Sequence, residues 1–264
     1  MNDQGAAALL RAGQLGDAIV AAQAAVRKAP TDLDGRVLLA ELLVGSGNLE
    51  RADTLLDAAA MVDPTAAVVV AEFRQLLRAE TARRQLFADA RVPEFIGEPT
   101  DAQRMQLAAL VALRAGDLDE AARQSQLAEE TRPRAAGFSG GTAFDDFRDA
   151  DDLLAGSFEV LTTTGKYFWI PTERVVSAEF QPPKRQRDLV WRRVWMSVQD
   201  GLDGVVYIPV TYAADEPLTD LHRLGRETDW REQGKLVRGV GQRMFLAGDD
   251  GVEVMTLGTL RFGA

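Results

Sequence analysis

The chain has 264 residues, with 30 basic and 40 acidic side chains, and its net charge at pH 7 is −10. This acidic balance disfavours nucleic acid and anionic membranes as partners, because both are bound through clustered positive charge. The sequence contains no cysteine, which excludes disulfides, thiol catalysis and Cys-bound zinc, and no apolar run is long enough to span a bilayer.

The first half of the chain repeats one pattern, Gly-x-Leu-x-x-Ala with a later Pro, at a period of about 34 residues. The glycine permits a turn between two helices, the alanine allows close helix packing, and the proline ends the second helix. This pattern resembles the tetratricopeptide repeat, a helix–turn–helix unit. The repeated positions are Gly13, Leu15, Ala18, Pro30, Gly47, Leu49, Ala52, Pro64, Gly116, Leu118, Ala121 and Pro133. We expect the unit around Glu80 to Pro93 to keep its helices without the motif.

Repeats of this kind stack and leave a concave groove, which commonly holds a helix or peptide of another protein. We expect the helix over residues 32–45 to line the groove. The i, i+3, i+4 spacing places Asp34, Val37, Glu41 and Val44 on one face of this helix, and we take them as candidate partner-binding residues. A second interpretation is that they pack on the neighbouring unit.

The composition changes near residue 136. Of the aromatic residues, only Phe73, Phe87 and Phe95 lie before it, and all Trp and Tyr lie after it. Alanine-rich sequence favours packed helices, whereas aromatic and β-branched residues favour sheets. We predict a tetratricopeptide-like helical repeat domain over residues 1–135, a linker over 136–143 and an α+β domain over 144–264.

The second domain is predicted to begin with a short helix over residues 144–155, with Phe147, Leu153 and Leu154 on one side. After it the apolar pattern has a period of two, which is typical of strands. Short turn-like connectors favour antiparallel pairing. The fold class is therefore α+β, with all-α repeats followed by a mostly antiparallel domain. The predicted strands are 158–163, 167–171, 175–181, 189–198, 204–211, 242–247 and 252–261.

Several segments of the second half are similar to the ImpE family, and the resemblance extends to the order of repeats and α+β domain along the whole chain. The most specific segments are Asp149-Ala150-Asp151, Tyr167-Phe168-Trp169-Ile170-Pro171, Arg187-Asp188-Leu189-Val190-Trp191, Tyr207-Ile208-Pro209 and Gly225-Arg226-Glu227-Thr228-Asp229-Trp230. The resemblance implies a cytoplasmic accessory protein of the bacterial type VI secretion system. It also implies an adaptor that binds a helix of the contractile sheath's small subunit and links it to the ClpV unfoldase, an AAA+ ATPase.

A cluster of carboxylates provides an alternative, a metal-dependent hydrolase. Its members are Asp145, Asp146, Asp149, Asp151 and Asp152. The spacing is not that of a calcium-binding loop, and acids near the start of a helix are favoured without any metal. We therefore favour a solvated helix or an arginine-paired structural motif, and we expect no metal, no cofactor and no enzymatic activity. A scaffold in another assembly is a third hypothesis.

His222 is the only histidine, which excludes a multi-histidine metal site. It begins a turn-rich segment with Arg223, Arg226, Asp229 and Trp230. If the segment is exposed, Arg223, Arg226 and Trp230 could bind a partner's acidic segment. If it is buried, Arg226 and Asp229 would form an internal ion pair, which we favour slightly.

Three residues of one predicted strand, Trp191, Arg193 and Trp195, face the same side because side chains alternate along a strand. Trp and Arg are common interface anchors. Two Trp on one strand face are nevertheless more often part of a core.

Overall fold

The computed structural model describes residues 5–62, 67–89, 91–201, 203–213 and 218–263. Its N-terminal part is helical, and sequential helices pack on one another, α1 on α2, α2 on α3, α3 on α4 and α6 on α7. This stacking confirms the predicted helical repeat region. The helices are α1 (Ala6–Arg11), α2 (Leu15–Lys28), α3 (Leu33–Gly45), α4 (Leu49–Val62), α5 (Ala67–Asp89), α6 (Asp101–Arg114) and α7 (Leu118–Thr131).

The repeated glycines occupy equivalent places in three helical hairpins. Gly13, Gly47 and Gly116 have φ values of 80°, 90° and 78°, in the left-handed region that glycine adopts without steric cost. Each lies between the two helices of a pair. The repeated alanines Ala18, Ala52 and Ala121 are fully buried in the second helices. Pro30 and Pro133 follow the ends of α2 and α7, and Pro64 lies outside the described residues.

The unit around Glu80 to Pro93, which lacks the repeat motif, differs in structure from the three helical hairpins. Helix α5 is 23 residues long and continues to Asp89. The chain then runs beside the sheet, where the Glu94 amide donates to the Tyr167 carbonyl at 2.8 Å and the Glu94 carbonyl accepts from the Trp169 amide at 3.1 Å. This short parallel pairing covers the outer edge of strand Tyr167–Pro171.

The C-terminal part is built on an antiparallel sheet of eight described strands, in the order β2-β1-β13-β6-β7-β8-β4-β5, so the predicted antiparallel α+β class is confirmed. Two smaller sheets, β10-β9 and β12-β11-β3, flank it. A 3₁₀ helix, Gln186–Leu189, precedes β7, and a short helix α8, Asp220–Arg223, follows β8. The strands are β1 (Gly137–Ser139), β2 (Thr142–Phe144), β3 (Phe147–Asp149), β4 (Ser157–Leu161), β5 (Tyr167–Pro171), β6 (Val175–Phe180), β7 (Trp191–Val198), β8 (Asp203–Pro209), β9 (Thr228–Gln233), β10 (Leu236–Gly241), β11 (Met244–Ala247), β12 (Asp250–Glu253) and β13 (Thr259–Phe262).

The predicted helix over residues 144–155 is wrong. The segment holds the end of β2, all of β3 and a series of turns. The Asp149 carboxylate accepts from the Asp151 amide, and the Asp151 carboxylate accepts from the Leu153 amide, both at 2.9 Å. Such local side-chain bonds to the backbone compete with helix formation.

The predicted linker over residues 136–143 also belongs to the sheet. It contains β1 and the start of β2, joined by a turn at Gly140 and Gly141, and β1 pairs with β13. The hairpin of β9 and β10 was not predicted, and the predicted strand 252–261 is interrupted by a turn between β12 and β13. We still propose the domain boundary near residue 135, between α7 and β1.

One hydrophobic core joins the two parts of the chain. Phe73 of α5 packs edge-on against Trp191 of β7, with ring centroids 6.0 Å apart. Trp169 and Tyr207, from β5 and β8, belong to the same buried cluster as the helices. A second cluster, rich in phenylalanine, lies on the opposite face of the large sheet. The sheet is therefore packed on the helices, and it covers part of their surface.

Candidate functional site

The candidate groove face on α3 is open at one end and covered at the other. Asp34 is exposed and Val37 is half-buried, whereas Glu41 and Val44 are only 5% and 2% exposed. The 3₁₀ helix Gln186–Leu189 packs against α3. The chain's own sheet domain thus fills part of the groove, and Val44 is covered by it rather than free for a partner.

The open end of this face is a depression of about 530 Å³ between α3, the start of α5 and the loop before the 3₁₀ helix. Its walls are mostly aliphatic, and charged groups lie at its rim and floor. We call it the α3–α5 depression. Its lining residues are Leu33, Asp34, Val37, Leu38, Glu41, Val69, Val70, Arg185 and Gln186.

Glu41 is the unusual residue of the α3–α5 depression. Burial raises the pKa of its carboxyl group from 4.5 to about 7, although Arg187 and Arg185 act to lower it. One of its oxygens, Oε1, is buried and has no hydrogen-bond partner. Nearby Arg187 donates through Nη2 to Glu72 at 2.9 Å, while its Nε and Nη1 are buried without a partner.

The turn-rich segment binds the repeat turns of the same chain. Arg223 donates to the carbonyl of Ser46 at 2.7 Å, at the C-terminal end of α3, and Arg226 donates to the carbonyl of Arg11 at 3.1 Å, at the end of α1. Asp220 accepts from the Gly16 amide at 3.1 Å, in the first turn of α2. The two arginines lie at C-terminal helix ends and the aspartate lies at an N-terminal helix end, as the helix dipole favours. These contacts attach the sheet domain to two repeat units.

The favoured ion pair between Arg226 and Asp229 is therefore wrong. Asp229 instead lies 3.0 Å from Nε2 of His222. The guanidinium of Arg226 donates to the Arg11 carbonyl, which has no partner within its helix because it lies at the helix end. Trp230 is 44% exposed, and its ring centroid lies 6.1 Å from that of Tyr212. The segment thus brings Arg223 and Arg226 to the repeats and leaves Trp230 at the surface of β9.

Trp191 and Trp195 share one side of β7 but have different environments. Trp191 is buried against α5, as expected of a core residue. Trp195 is 49% exposed and donates to Asp203 at 3.1 Å.

The five carboxylates of the Asp145–Asp152 cluster pair with arginine side chains, and several also accept hydrogen bonds from backbone amides. Asp146 accepts from Arg132 at 2.9 Å, and Asp151 accepts from Arg238 at 2.8 Å. The other three are paired as well: Asp145 with Arg134, Asp149 with Arg243 and Asp152 with Arg148. Among the described residues, no group of three His, Cys, Asp or Glu could hold a metal ion. The arginine-paired interpretation is the one this geometry supports.

A buried ionic network, which no sequence pattern indicated, lies where the helices meet the sheet. Glu159 of β4 is fully buried between two guanidiniums, with Arg83 Nε at 2.8 Å and Arg243 in direct contact. These two cations hold the pKa of Glu159 down to about 2. Asp149 contacts one guanidinium, that of Arg243 at 2.5 Å, and accepts from the Tyr212 hydroxyl at 3.0 Å. Burial raises the pKa of Asp149 to about 6 in spite of Arg243, and the nearby Asp151 carboxylate adds to the rise. Arg83 belongs to α5, so the network ties the helices to the sheet.

These features define a class of protein, helical repeats whose turns are held by an antiparallel sheet domain. Residues 9–76 match a family model for the tetratricopeptide repeat, and residues 141–261 match the model described as ImpE protein. The described helices include none long and apolar enough to cross a membrane.

Two relatives extend the match to nearly the whole chain. The type VI secretion system accessory component TagJ of Pseudomonas aeruginosa PAO1 is 33% identical over 241 residues, which are 90% of this chain and 84% of TagJ. The crystal structure of protein VPA1032 from Vibrio parahaemolyticus superposes with a TM-score of 0.91 at 27% identity, covering 97% of this chain and 96% of that one. The chain belongs to the ImpE family.

Proposed function

We propose that this protein is a non-enzymatic adaptor of a type VI secretion system and acts in the cytoplasm. It binds a helix of the sheath small subunit and links that subunit to the ClpV unfoldase. The observation that carries the proposal is the 33% identity to the TagJ accessory component over 90% of the chain. That identity spans both the repeats and the sheet domain.

The structure supports a binding role over a catalytic one. The α3–α5 depression is lined mostly by aliphatic side chains of two helices of the repeat region, and grooves of helical repeats commonly hold helices. The five clustered aspartates, which motivated a metal-dependent hydrolase, are paired with arginines. We retain Asp34, Val37 and Glu41 as proposed partner-binding residues, because they line the open depression.

A co-purification experiment tests the adaptor function. The full-length protein carries an affinity tag and is mixed separately with purified sheath small subunit, purified ClpV, and both together. The adaptor function predicts that each is retained alone and that all three form one complex on size-exclusion chromatography. Retention of neither protein would contradict it. Retention of one only would reduce the proposal to a simple binding protein of that component.

A further inference from the structure

A cavity of about 230 Å³ lies where helices α3, α5 and α8 meet strands β7 and β8. It shares no lining residue with the α3–α5 depression. Of the described residues that line it, Arg83, Arg84 and Arg223 are cationic and only Glu80 is anionic. We call it the arginine cavity. Its lining is therefore positively charged, in a chain whose net charge is −10.

The charges deep in the arginine cavity are already paired within the protein. Arg83 is buried and donates through Nε to Glu159 at 2.8 Å. Glu80 is also buried, and it accepts from Nε of Arg84 at 3.1 Å and from the indole of Trp191 at 3.3 Å. Arg223, by contrast, has no carboxylate partner among the described residues. One positive charge of the cavity is thus left for a ligand to neutralise.

Two guanidiniums converge on the turn between α3 and α4. Nη1 of Arg223 donates to the Ser46 carbonyl, and Nη1 of Arg84 donates to the Gly47 carbonyl, both at 2.7 Å. A Cβ atom on Gly47 would lie 3.3 Å from Nη1 of Arg84 and 3.5 Å from Nη1 of Arg223. Like charges this close repel each other, and an anion beside both would relieve the repulsion.

Both guanidiniums keep donors that a ligand can use. Among the described residues, no acceptor contacts Nη2 of Arg84 or Nε and Nη2 of Arg223. Arg84 is 42% exposed and Arg223 is half-buried, so both are accessible. The planar fork of arginine matches the two oxygens of a carboxylate. A carboxylate carries one negative charge, which equals the charge that Arg223 leaves uncompensated, whereas a phosphate carries more.

The remaining walls of the arginine cavity are apolar. Ala88 is exposed at its edge, and Val190, Ala213 and Leu218 are half-buried. Covering these side chains is favourable in proportion to the apolar area removed from water. A cavity of about 150 Å³ holds a benzene molecule. The arginine cavity therefore has room for an apolar group of that size with a carboxylate attached.

We propose that the arginine cavity binds a small organic carboxylate, with its oxygens between Arg84 and Arg223 and its apolar group against Val190 and Leu218. The carboxylate belongs to a free organic acid or to the C-terminal residue of a polypeptide, since both present the same chemistry. Arg84 lies on α5 and Arg223 on α8, so the bound anion also links the sheet domain to the repeats. This site is independent of the adaptor function.

Calorimetric titration of the full-length protein at low salt, where charge screening is weak, tests the site. The acid 3-phenylpropanoate is expected to bind at least tenfold more tightly than the neutral 3-phenylpropanamide. Arg84→Met and Arg223→Met should each weaken binding of the acid about tenfold and leave that of the amide unchanged. Arg78→Met is the matched control, because Arg78 is exposed on α5 and does not line the cavity. Equal affinities for acid and amide, or an equal loss in Arg78→Met, would overturn the inference.

A second variant tests the location without removing any arginine. Ala88→Phe adds bulk at an exposed position of the lining and should weaken both the acid and the amide at least threefold. Unchanged binding by Ala88→Phe would place the ligand elsewhere and overturn the inference. The melting temperature of each ligand-free variant shows whether it is folded.

The peptide Ala-Ala-Ala-Phe, with a free or an amidated C-terminus, distinguishes the two sources of the carboxylate. Tighter binding of the free-terminus peptide than of 3-phenylpropanoate identifies a polypeptide C-terminus. Binding of 3-phenylpropanoate alone identifies a free organic acid. Binding of neither contradicts the inference and leaves the adaptor function, which is tested with the sheath small subunit and ClpV, unaffected.

Discussion

Two clusters of buried charge lie where the helices meet the sheet, and they differ in how completely they are paired. In the Arg243 cluster, which comprises Arg83, Asp149, Glu159 and Arg243, each carboxylate contacts at least one guanidinium. In the Glu41 pair, which comprises Glu41 and Arg187, three polar atoms are buried without partners. Both clusters connect a repeat helix to the sheet domain.

This difference separates a structural site from a candidate binding site. A fully paired buried network is rigid, and breaking it leaves a charge with no compensation. An incompletely paired group instead lowers stability in the free protein and gains a partner on binding. The Arg243 cluster therefore ties helix α5 to the sheet, and we propose the surface beside the Glu41 pair as the place where a partner docks.

The largest expected effect is at Glu159. Replacement by Gln removes the negative charge between Arg83 and Arg243 and leaves those cations partly uncompensated, so we expect a loss of about 3–5 kcal/mol in the free energy of unfolding. Urea denaturation monitored by tryptophan fluorescence measures it. Glu179→Gln is the control, because Glu179 is exposed on β6 of the same sheet, and its effect should stay within about 0.5 kcal/mol. Equal effects would mean that the network does not join the domains.

Replacing Glu41 is expected to stabilise the protein at pH 8, whereas replacing Glu159 is expected to destabilise it. Its pKa is raised from 4.5 to about 7, so the folded protein holds a proton that the unfolded chain releases between those values. The unfolding free energy should therefore fall as pH rises from about 4.5 to 7, by up to about 3 kcal/mol. Glu41→Gln should remove this decline and be the more stable protein at pH 8. Parallel curves for wild type and variant from pH 5 to 8 would contradict the assignment.

A smaller effect tests the contact of the sheet domain with the repeat turns. Gly13 and Gly116 have nearly the same positive φ, so alanine at either costs about 1 kcal/mol of backbone strain. At Gly116 the new methyl carbon would meet nothing within 4 Å, whereas at Gly13 it would lie 2.8 Å from Cδ2 of Leu221 in α8. We expect Gly13→Ala to destabilise by about 1 kcal/mol more than Gly116→Ala. Thermal unfolding of the two variants checks it, and equal melting temperatures would show that α8 does not restrain that turn.

The smallest effects are expected at the two arginines that bind helix ends. Arg223→Met removes a hydrogen bond from a half-buried side chain to Ser46 and should cost about 1 kcal/mol. Arg226 is exposed, and Arg226→Met should cost about 0.5 kcal/mol or less. The ranking is measured by chemical denaturation at low salt. A larger loss for Arg226 than for Arg223 would contradict this order.

The repeat could be predicted from the sequence because its determinants are local. A glycine that turns the chain and an alanine that lies between helices recur at a fixed spacing, and strand β5, Tyr167–Pro171, has the predicted bounds. The segment 144–155 was misassigned because its apolar spacing fits a helix, whereas Asp149 and Asp151 bond to nearby amides instead. Local pattern could not reveal that competition.

The candidate site was only partly predictable. Glu41 stands out in the sequence as a charge within the apolar run of α3, and its face was assigned from helical spacing. Its burial depends on the 3₁₀ helix Gln186–Leu189, far along the chain. The Arg243 cluster is likewise non-local, since Arg243 lies 94 and 84 positions from Asp149 and Glu159. No pattern within one element indicates such a pairing.

The most direct measurement is hydrogen–deuterium exchange of the full-length protein with and without purified sheath small subunit. If the α3–α5 depression is the docking site, exchange slows on binding in residues 33–41 and 67–76, while α7 and the strands around Trp195 keep their free rates. Protection confined to α7 or to the exposed sheet face, with residues 33–41 unchanged, would contradict the account.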